Sequence, residues 1–418
     1  MNRRRFLTGA ALAAASLPLM PRAWTRSAPS RSIETSIWIY LWDIVDEGYG
    51  TVLGRLRENG LSSLSLATAY HAGKFLAPHN PRRKVVFLED GTVSFAPRLA
   101  LYGRIRPITH SLVGQGHDLR RVQFAAQQQG LKTRSWVVCC HNTPLGLQYP
   151  DITTRTVFGD ALPHNLCPSN DDVRTYLRAL VEDVASYGVD TIELEALQFQ
   201  GYAHGSHHER EGIPLTLPIR FLLGLCFCPS CGRRAAAATV PFERVRTYVH
   251  DTLTEYFADP VESPAARIAT LDDLPADLFA PLFAWREAVI VSLAAELRDA
   301  VGPDGPALRP LVGPDPVARK IVGMNPVEVG KATGGILLLA YVKNGVEIRP
   351  EIDRLRLALG NNEVRVGMHL GMPETGGKAE FLSRMAACLD AGVTEFNYYN
   401  YSFVPLANLG WIREALGR

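Results

Sequence analysis

Eight short apolar runs, each followed by an amphipathic stretch, recur along this chain of 418 residues. Alternating strand and helix patterns are typical of an α/β fold with a parallel sheet, and eight repeats favour a (β/α)8 or TIM barrel. The predicted strands cover residues 35–41, 62–68, 133–140, 189–195, 308–313, 335–342, 363–370 and 394–399. The predicted helices cover residues 50–59, 119–130, 171–187, 278–300, 326–333, 349–359, 378–391 and 406–416. Gly60, Gly130, Gly188 and Gly392 follow four of these helices, where a left-handed glycine commonly ends a helix.

The connections after the second and fourth strands are much longer than a simple strand-to-helix loop requires. They span residues 69–118 and 196–307, and we expect them to build the rim of the barrel mouth. Residues 33–418 are therefore predicted to form a single barrel with an insertion at about 196–306. A separate domain within that insertion is the alternative, although the segment lacks a run of strands of its own.

One group of cysteines has the spacing of a metal site. Cys226, Cys228 and Cys231 lie within six residues, and Cys167 precedes a predicted helix upstream. Four thiolates can surround Zn²⁺ as a tetrahedron, so we expect these residues to hold a structural zinc. The alternative is that the clustered cysteines are free or disulfide-bonded thiols in a loop. The remaining thiols, Cys139, Cys140 and Cys388, are expected to be buried and unreactive.

The stretch from Cys167 to Cys231 resembles a known family. A Cys-Pro sequence, an Arg-bearing helix, a strand ending in Glu195 and a Cys-x-Cys-Pro-x-Cys motif are similar to the centre of the family 42 β-galactosidases, which are TIM barrels. The resemblance implies that Cys167, Cys226, Cys228 and Cys231 bind zinc and that Glu195 is the acid/base catalyst. In that family an Asn precedes this Glu, whereas Leu194 stands here. The resemblance covers about 65 residues, and the whole chain also resembles a set of uncharacterised bacterial TIM-barrel glycosidases.

Two carboxylates lie at the end of the fourth predicted strand. Glu193 and Glu195 are two residues apart, so both point to the same side of the strand. Catalytic groups of TIM barrels lie at the carboxyl ends of the strands, which makes Glu195 the candidate acid/base. Glu193 lies deeper and is expected to accept hydrogen bonds from Arg or His. The alternative for Glu195 is an ion-paired carboxylate of the barrel interior with no catalytic role.

A glycosidase of either stereochemical class needs a second carboxylate. Asp43 follows the first strand and Glu374 follows the seventh, and these two are the leading candidates, with Asp315 as a third. The choice among them stays open, and so does the choice between retention and inversion.

Polar and aromatic side chains follow several other strands. They suit a carbohydrate ligand, because each sugar hydroxyl both donates and accepts hydrogen bonds and aromatic rings stack on sugar faces. The predicted substrate-binding residues are Trp42, Tyr70, His71, Lys74, His141, Asn142, Glu193, His369, Tyr398 and Asn400. Each residue alone is as typical of a turn or a core as of a binding site. The polar loop that contains His204, His207, His208 and Glu209 is an alternative second metal site.

The amino terminus has the pattern of a twin-arginine export signal. Arg3-Arg4-Arg5-Phe6-Leu7 precedes a weakly apolar run of about twelve residues, fewer than the roughly 20 that span a bilayer. Residues 1–28 are thus predicted to be a removable signal peptide, and the protein to be periplasmic or extracellular. No later segment is expected to be long and apolar enough to span a membrane.

Removal of residues 1–28 takes away five arginines and no acid, which changes the formal net charge from +2 to about −3. That charge gives no electrostatic reason to bind nucleic acid. The sequence therefore predicts an exported TIM-barrel glycoside hydrolase for a poly- or oligosaccharide, with Glu195 as proton donor and Asp43 or Glu374 as nucleophile or base. A non-hydrolytic carbohydrate-binding barrel with a structural zinc is the main alternative, and metal-dependent hydrolysis through the histidine loop is another.

Overall fold

Eight parallel strands close into a barrel in the computed structural model, which describes residues 33–203, 208–342, 345–360, 363–371 and 375–417. In chain order the strands are β1 (Glu34–Ile39), β2 (Ser63–Tyr70), β3 (Lys132–Val138), β4 (Thr191–Glu195), β5 (Ala307–Val312), β6 (Gly335–Leu339), β7 (Glu363–His369) and β8 (Glu395–Tyr399). Each strand pairs with the next, and β1 also pairs with β8, which closes the barrel. The predicted (β/α)8 TIM barrel is confirmed. All eight strands lie where the pattern placed them, with ends that differ by up to three residues.

Eight outer helices surround the strands. They are α1 (Tyr49–Glu58), α2 (Leu119–Gln128), α3 (Asp171–Ala185), α4 (Ala276–Val301), α5 (Pro326–Thr333), α6 (Gly345–Leu359), α7 (Lys378–Asp390) and α8 (Leu409–Ala415). Polar caps fix several starts: the Asn170 side chain accepts from the backbone N–H groups of Asp172 and Val173 at the start of α3. The four predicted helix-ending glycines have φ between 69° and 84°, as expected.

The remaining elements lie mostly in the long connections after β2 and β4, as predicted. Further helices are Leu41–Glu47, Ser111–Gly114, Thr143–Gln148, Leu217–Leu223, Pro229–Ala237, Phe242–Ala258 and Pro316–Val322. Short strands are Lys74–Leu76 paired with Val85–Phe87, Thr153–Arg155 paired with Ala161–Leu166, and Thr92–Val93 paired with Ile108–Thr109. Single 3₁₀ turns occupy Leu99–Leu101, Pro150–Ile152, Pro264–Arg267, Leu271–Asp273 and Leu406–Asn408. The connection between β4 and β5 has no strand in its described part.

Helix α4 is the one described helix that is long and apolar enough to cross a membrane by length and composition. The expectation that no later segment has this composition is therefore wrong. Half of its most apolar window is buried inside the protein, and its buried side chains include Leu282, Ile290 and Leu297. A core helix of a globular domain passes the same test. The predicted export signal, residues 1–28, lies outside the described residues.

Layers of inward-facing side chains fill the barrel. At its amino-terminal end the buried Arg134 lies 3.0 Å from Glu34 and 3.2 Å from Glu395. Above this charged layer, Trp38 fills the barrel opposite Gly367, where an added Cβ would lie 2.7 Å from the indole ring. Glycine at that position thus makes room for the tryptophan. The carboxyl ends of the strands form the opposite opening, where catalytic groups of this fold lie.

Candidate functional site

Glu195 is the last residue of β4, and its side chain is partly exposed at the mouth of the barrel. Its Oε2 accepts a hydrogen bond of 2.6 Å from the indole N–H of Trp136 on β3. Burial raises the pKa of Glu195 to about 7, and the Trp136 hydrogen bond opposes this shift only in part. A carboxyl group with a pKa near neutrality retains its proton for much of the time at pH 7, which is what a general acid requires.

Trp136 holds this carboxyl group in place, and sequence reasoning missed it. Its ring lies 5.6 Å from Trp38, 4.5 Å from Tyr70 and 6.1 Å from Tyr399, so its own orientation is fixed by packing. A tryptophan in the middle of an apolar strand reads as core. The pairing register of β3 and β4 could have revealed it. Trp136 pairs with Glu193, so its side chain faces the barrel interior beneath Glu195.

A cavity of about 290 Å³ opens beside Glu195. Its polar walls include Gln198, Gln200 and His141, and its apolar walls include Leu311 and Leu339. Arg319 also lines it, but the guanidinium lies 2.6 Å from Glu351 and is therefore ion-paired. The cavity has room for about one sugar ring, with Glu195 and His141 as its titratable walls.

Glu193 does not face this cavity. The side chain has no exposed surface, and its oxygens accept hydrogen bonds from Ser65 at 2.8 Å and from Asn397 at 2.8 and 2.9 Å. The prediction that Glu193 binds substrate is therefore wrong. Its hydrogen-bond partners also differ from the expected Arg or His, since Arg134 and Arg365 act on it through their charge alone. Burial raises its pKa, and these charges and hydrogen bonds oppose that shift.

Asp43 is occupied by structural contacts. It has no exposed surface, and its carboxylate accepts from the backbone N–H of Tyr40 at 3.0 Å and from the Ser402 hydroxyl at 2.6 Å. Burial, opposed by the Ser402 hydrogen bond, raises its pKa to about 7. These contacts make Asp43 a cap of the helix Leu41–Glu47 and not an accessible nucleophile, which corrects its predicted catalytic role.

Asp315, another candidate for the second carboxylate, does not line the Glu195 cavity. Asp315 caps the helix Pro316–Val322 by accepting from the N–H groups of Val317 and Ala318. Glu374 lies outside the described residues. Leu194, at the position where the family 42 β-galactosidases have Asn, is fully buried and apolar, so it offers no polar contact.

Four of the predicted substrate contacts have structural roles instead. Asn142 starts the helix Thr143–Gln148 and donates to the Gly91 carbonyl. Asn400 has no exposed surface and accepts from the Ser402 N–H. Tyr398 has no exposed surface and its hydroxyl donates to the Met385 sulfur on α7, because alternation along β8 turns it outward.

Trp42, the fourth, stacks on Tyr40 at 4.2 Å and lines a separate cavity of about 430 Å³ near Arg82 and Arg83. It is 6% exposed and does not line the Glu195 cavity.

The remaining predicted contacts lie around the mouth. The His71 ring stacks on Tyr70 at 4.3 Å and on His141 at 4.6 Å. His369 lies 5.4 Å from the Tyr399 ring, which in turn contacts Trp136. Lys74 is exposed on the hairpin after β2. Of the histidine loop, His204 and His207 lie outside the described residues, and the exposed His208 accepts a hydrogen bond from Arg210.

The four predicted metal-binding cysteines come together. Cys167 lies between β3 and α3, and the other three lie in the connection after β4, with all four sulfurs within 4.8 Å of one another. Distances from the Cys167 sulfur are 3.5 Å to Cys231, 3.6 Å to Cys228 and 3.7 Å to Cys226. Four sulfurs at the usual 2.3 Å from a tetrahedral zinc would lie about 3.8 Å apart. The donor set therefore fits a metal ion, and the sulfurs are too far apart for a disulfide.

The other three cysteines, Cys139, Cys140 and Cys388, are buried free thiols, as predicted. Burial raises the pKa of Cys140 and of Cys388 to about 12, and it also raises the pKa of Cys139 well above the usual thiol value. Protonated, buried thiols are poor nucleophiles, which agrees with the expected lack of reactivity.

The barrel is similar to those of solved β-galactosidases. The enzyme of psychrophilic Marinomonas ef1 matches with a TM-score of 0.55 and 8% identity over 92% of this chain and 59% of that one. The enzyme of the haloarchaeon Halorubrum lacusprofundi matches with a TM-score of 0.56 and 11% identity over 92% of this chain and 58% of that one. The enzyme of Bacillus circulans sp. alkalophilus matches with a TM-score of 0.52 and 10% identity over 88% of this chain and 50% of that one. The chain has the barrel fold of these galactosidases.

Because the sequence identities are low, these matches show a similar fold and no more. The chain spans between half and three fifths of the length of these galactosidases. No family model matches its sequence, and no curated protein does.

Proposed function

We propose that this chain is an exported glycoside hydrolase in which Glu195 donates a proton to the leaving oxygen. The observation that carries the proposal is the position of Glu195: it ends β4, lines a cavity of about 290 Å³, and has a pKa raised to about 7. The likeness of the barrel to β-galactosidases supports the reaction class. The amino-terminal twin-arginine pattern supports export to the periplasm or beyond.

The contacts of Glu195 indicate how it would act. The Trp136 N–H is bound to Oε2, so the acidic proton belongs on Oε1. Oε1 would then protonate the glycosidic oxygen, and the same indole N–H would stabilise the carboxylate that remains. The reaction also needs a second carboxylate, for which Glu374 is the sequence candidate that the structure does not place.

The cysteine cluster supports a structural zinc held by Cys167, Cys226, Cys228 and Cys231. Four thiolates without a cation would repel one another, and neighbouring sulfurs already raise the pKa of the Cys167 thiol. A zinc ion would neutralise them and tie the connection after β4 to the start of α3. It would support the site without taking part in the reaction.

One observation favours a carbohydrate-binding barrel without hydrolysis. Of the described carboxylates, Glu195 lines the cavity, while Asp43 and Asp315 cap helices. A barrel with a single carboxylate at its mouth would bind a sugar but lack a nucleophile or base.

Substitution of Glu195 decides between these two functions. We expect Glu195→Gln to lower turnover at least about 100-fold with the fold intact, because a general acid usually contributes that factor. Glu193→Gln is the matched control: it changes an equally inward but unexposed carboxylate, so we expect its effect on stability to exceed its effect on turnover. The assay is a broad panel of aryl glycosides, with melting curves alongside. Full activity of Glu195→Gln would contradict the acid assignment, and no cleavage by the wild type would favour the binding barrel.

A further inference from the structure

Arg286 on α4 is a buried cation, and none of the described carboxylates pairs with it. It is 2% exposed. Its guanidinium lies over the Phe199 ring at 4.1 Å and donates to the Ile321 carbonyl at 2.7 Å. Arginine keeps its proton in proteins, and a buried charge is costly unless an opposite charge lies near it. A negative charge from another source is therefore needed beside Arg286.

The four-cysteine cluster lies on that side of α4. Arg174 joins the two, because it donates to the Pro168 carbonyl, next to Cys167, at 2.8 Å and to the Val289 carbonyl, one helical turn after Arg286, at 2.9 Å. Burial lowers the pKa of Arg286 to about 10, and three thiols of the cluster oppose this shift through their charge. The sulfurs are thus the groups that can balance the guanidinium.

Two other arginines near the cluster have carboxylate partners. Arg174 lies 2.5 Å from Glu296, and Arg234 lies 2.7 Å from Asp171. Their charges are balanced whether or not a metal is bound. Zn²⁺ with four thiolates has a net charge of about −2. Of these three arginines, Arg286 is the one whose charge is left to offset that of a loaded cluster.

Arg286 also contacts the wall of the Glu195 cavity. Phe199, the ring beneath its guanidinium, lies between two glutamines of that wall. The Phe199 N–H donates to the Val322 carbonyl at 3.1 Å, and Val322 lines the same cavity. The Ile321 carbonyl, which accepts from Arg286, is the one before it. Arg286 therefore holds two segments of the cavity wall.

We propose that Arg286 is the counter-charge of the metal-loaded cysteine cluster and couples the loading of that cluster to the order of the Glu195 cavity wall. This inference rests on the structural zinc of the proposed function. Metal binding releases the thiol protons, so the cluster is charged when it is loaded. Loss of the metal leaves the buried Arg286 without a counter-charge, which weakens its contacts with Phe199 and Ile321.

Zinc affinity, measured by competition with a chromophoric chelator, tests the role of the charge. Arg286→Met keeps a long side chain without charge, and we expect it to bind zinc about 10- to 100-fold more weakly, as is usual when a residue outside the ligand shell is removed. Arg286→Lys keeps the charge and should bind zinc nearly as well as the wild type. Arg244→Gln is the matched control, since it changes an exposed arginine that is paired with Asp277 on the surface.

Melting curves separate charge balance from packing. With zinc, Arg286→Met should melt below the wild type. After chelation it should melt above the wild type, because the wild type then retains a buried charge without a partner. A residue that acts through packing alone would lower both melting temperatures. Equal zinc affinity in the wild type and folded Arg286→Met, or a melting shift of the same sign with and without zinc, would overturn the proposal.

Hydrogen exchange of the wild type tests the coupling without any variant. Chelation should speed exchange in the two wall segments, residues 196–203 and 316–324. Helix α7, which packs against α6 and α8, should keep its protection. Unchanged exchange in both wall segments, or an equal loss of protection in α7, would contradict a coupling through Arg286.

The zinc site and this inference fail separately. A wild-type protein that binds no zinc removes both. A wild-type protein that binds zinc, with Arg286→Met binding it equally well, contradicts the role of Arg286 alone. Neither result depends on cleavage of a glycoside, so the hydrolase function is tested apart from them.

Discussion

Glu195 carries a cost in stability that follows from its raised pKa. The unfolded chain releases this proton near pH 4.5, whereas the folded protein keeps it until about pH 7. The free energy of unfolding therefore falls as the pH rises through that window and stays lower above it. A carboxyl group with this behaviour is typical of an active site, where function and stability favour different residues.

Glu195→Gln should accordingly be more stable than the wild type at pH 8 and about equal to it at pH 4. Gln keeps an oxygen to accept the Trp136 N–H but has no charge to bury. We expect a gain of about 1–2 kcal/mol at pH 8, less than the full shift implies because the side chain is partly exposed. Thermal melts across pH 4–8 measure it, with Glu243→Gln on an exposed helix face as control. A variant less stable than the wild type at pH 8 would contradict the assignment.

The hairpin formed by Lys74–Leu76 and Val85–Phe87 follows β2, and its connecting loop ties it to the barrel. His79 in that loop lies 2.9 Å from Glu47 through Nδ1 and 2.8 Å from the Tyr401 carbonyl through Nε2. Both neighbours are acceptors, so the cationic form of the ring, with hydrogen on both nitrogens, is the form that suits them. Phe75 of the hairpin then packs against Tyr40 and Phe403.

This contact should loosen in alkaline solution. Burial lowers the pKa of His79, but Glu47, the Tyr401 carbonyl and Asp43 together raise it above 6.5. The stabilisation is thus fully present below about pH 6.5 and is lost as the pH rises through the higher folded value. His79→Gln should lose about 2 kcal/mol of local stability at pH 6 and little at pH 9, as expected for a charged hydrogen bond.

Hydrogen exchange of the hairpin amides at both pH values measures the change. The wild type should show faster exchange at pH 9 after correction for the intrinsic rate, while His79→Gln should show the same protection at both. Protection of the wild-type hairpin that does not change with pH would rule out the cationic contact.

The hairpin also shows where sequence reasoning ends. Barrel strands of five to eight residues have clear apolar runs, and these were predicted within three residues. Strands of three residues carry no periodicity, so neither half of the hairpin was predicted. At β8 the pattern offered two adjacent tyrosines, and only the register with β7 puts Tyr399 inward and Tyr398 outward.

The sequence predicts which candidate residues lie at the ends of strands, but it does not predict their hydrogen-bond partners. Its position at the end of β4 made Glu195 a candidate, because the fold places catalytic groups there, and the structure puts it in a cavity wall. The contacts that occupy Asp43 come from Tyr40 and the distant Ser402, and nothing in the local sequence reveals the second. Pairings across the barrel require the folded chain.

The four-cysteine cluster connects parts of the chain that the barrel strands do not join. Removal of the metal should therefore affect the whole molecule. We expect one zinc per chain, and we expect Cys228→Ser to lose it and to melt roughly 5–10 °C lower. Serine can still cap the helix Pro229–Ala237, as Cys228 does through the Cys231 N–H, so the effect reports on the metal.

Cys388→Ala provides the comparison, since it removes a buried thiol far in sequence from the cluster and should retain zinc. Elemental analysis and melting curves with and without a chelator are the measurements. Unchanged zinc content in Cys228→Ser would refute the four-cysteine site.

Because β1 pairs with β8, the barrel cannot close until the last strand has been synthesised. Glu34 on the first strand pairs with Glu395 on the last, so β1 has one open edge until nearly the whole chain has left the ribosome. At a synthesis rate of about 5–20 residues per second, this edge of β1 stays unpaired for roughly 20–70 s. An unpaired edge strand readily captures another chain, so nascent copies of this protein need shielding during synthesis.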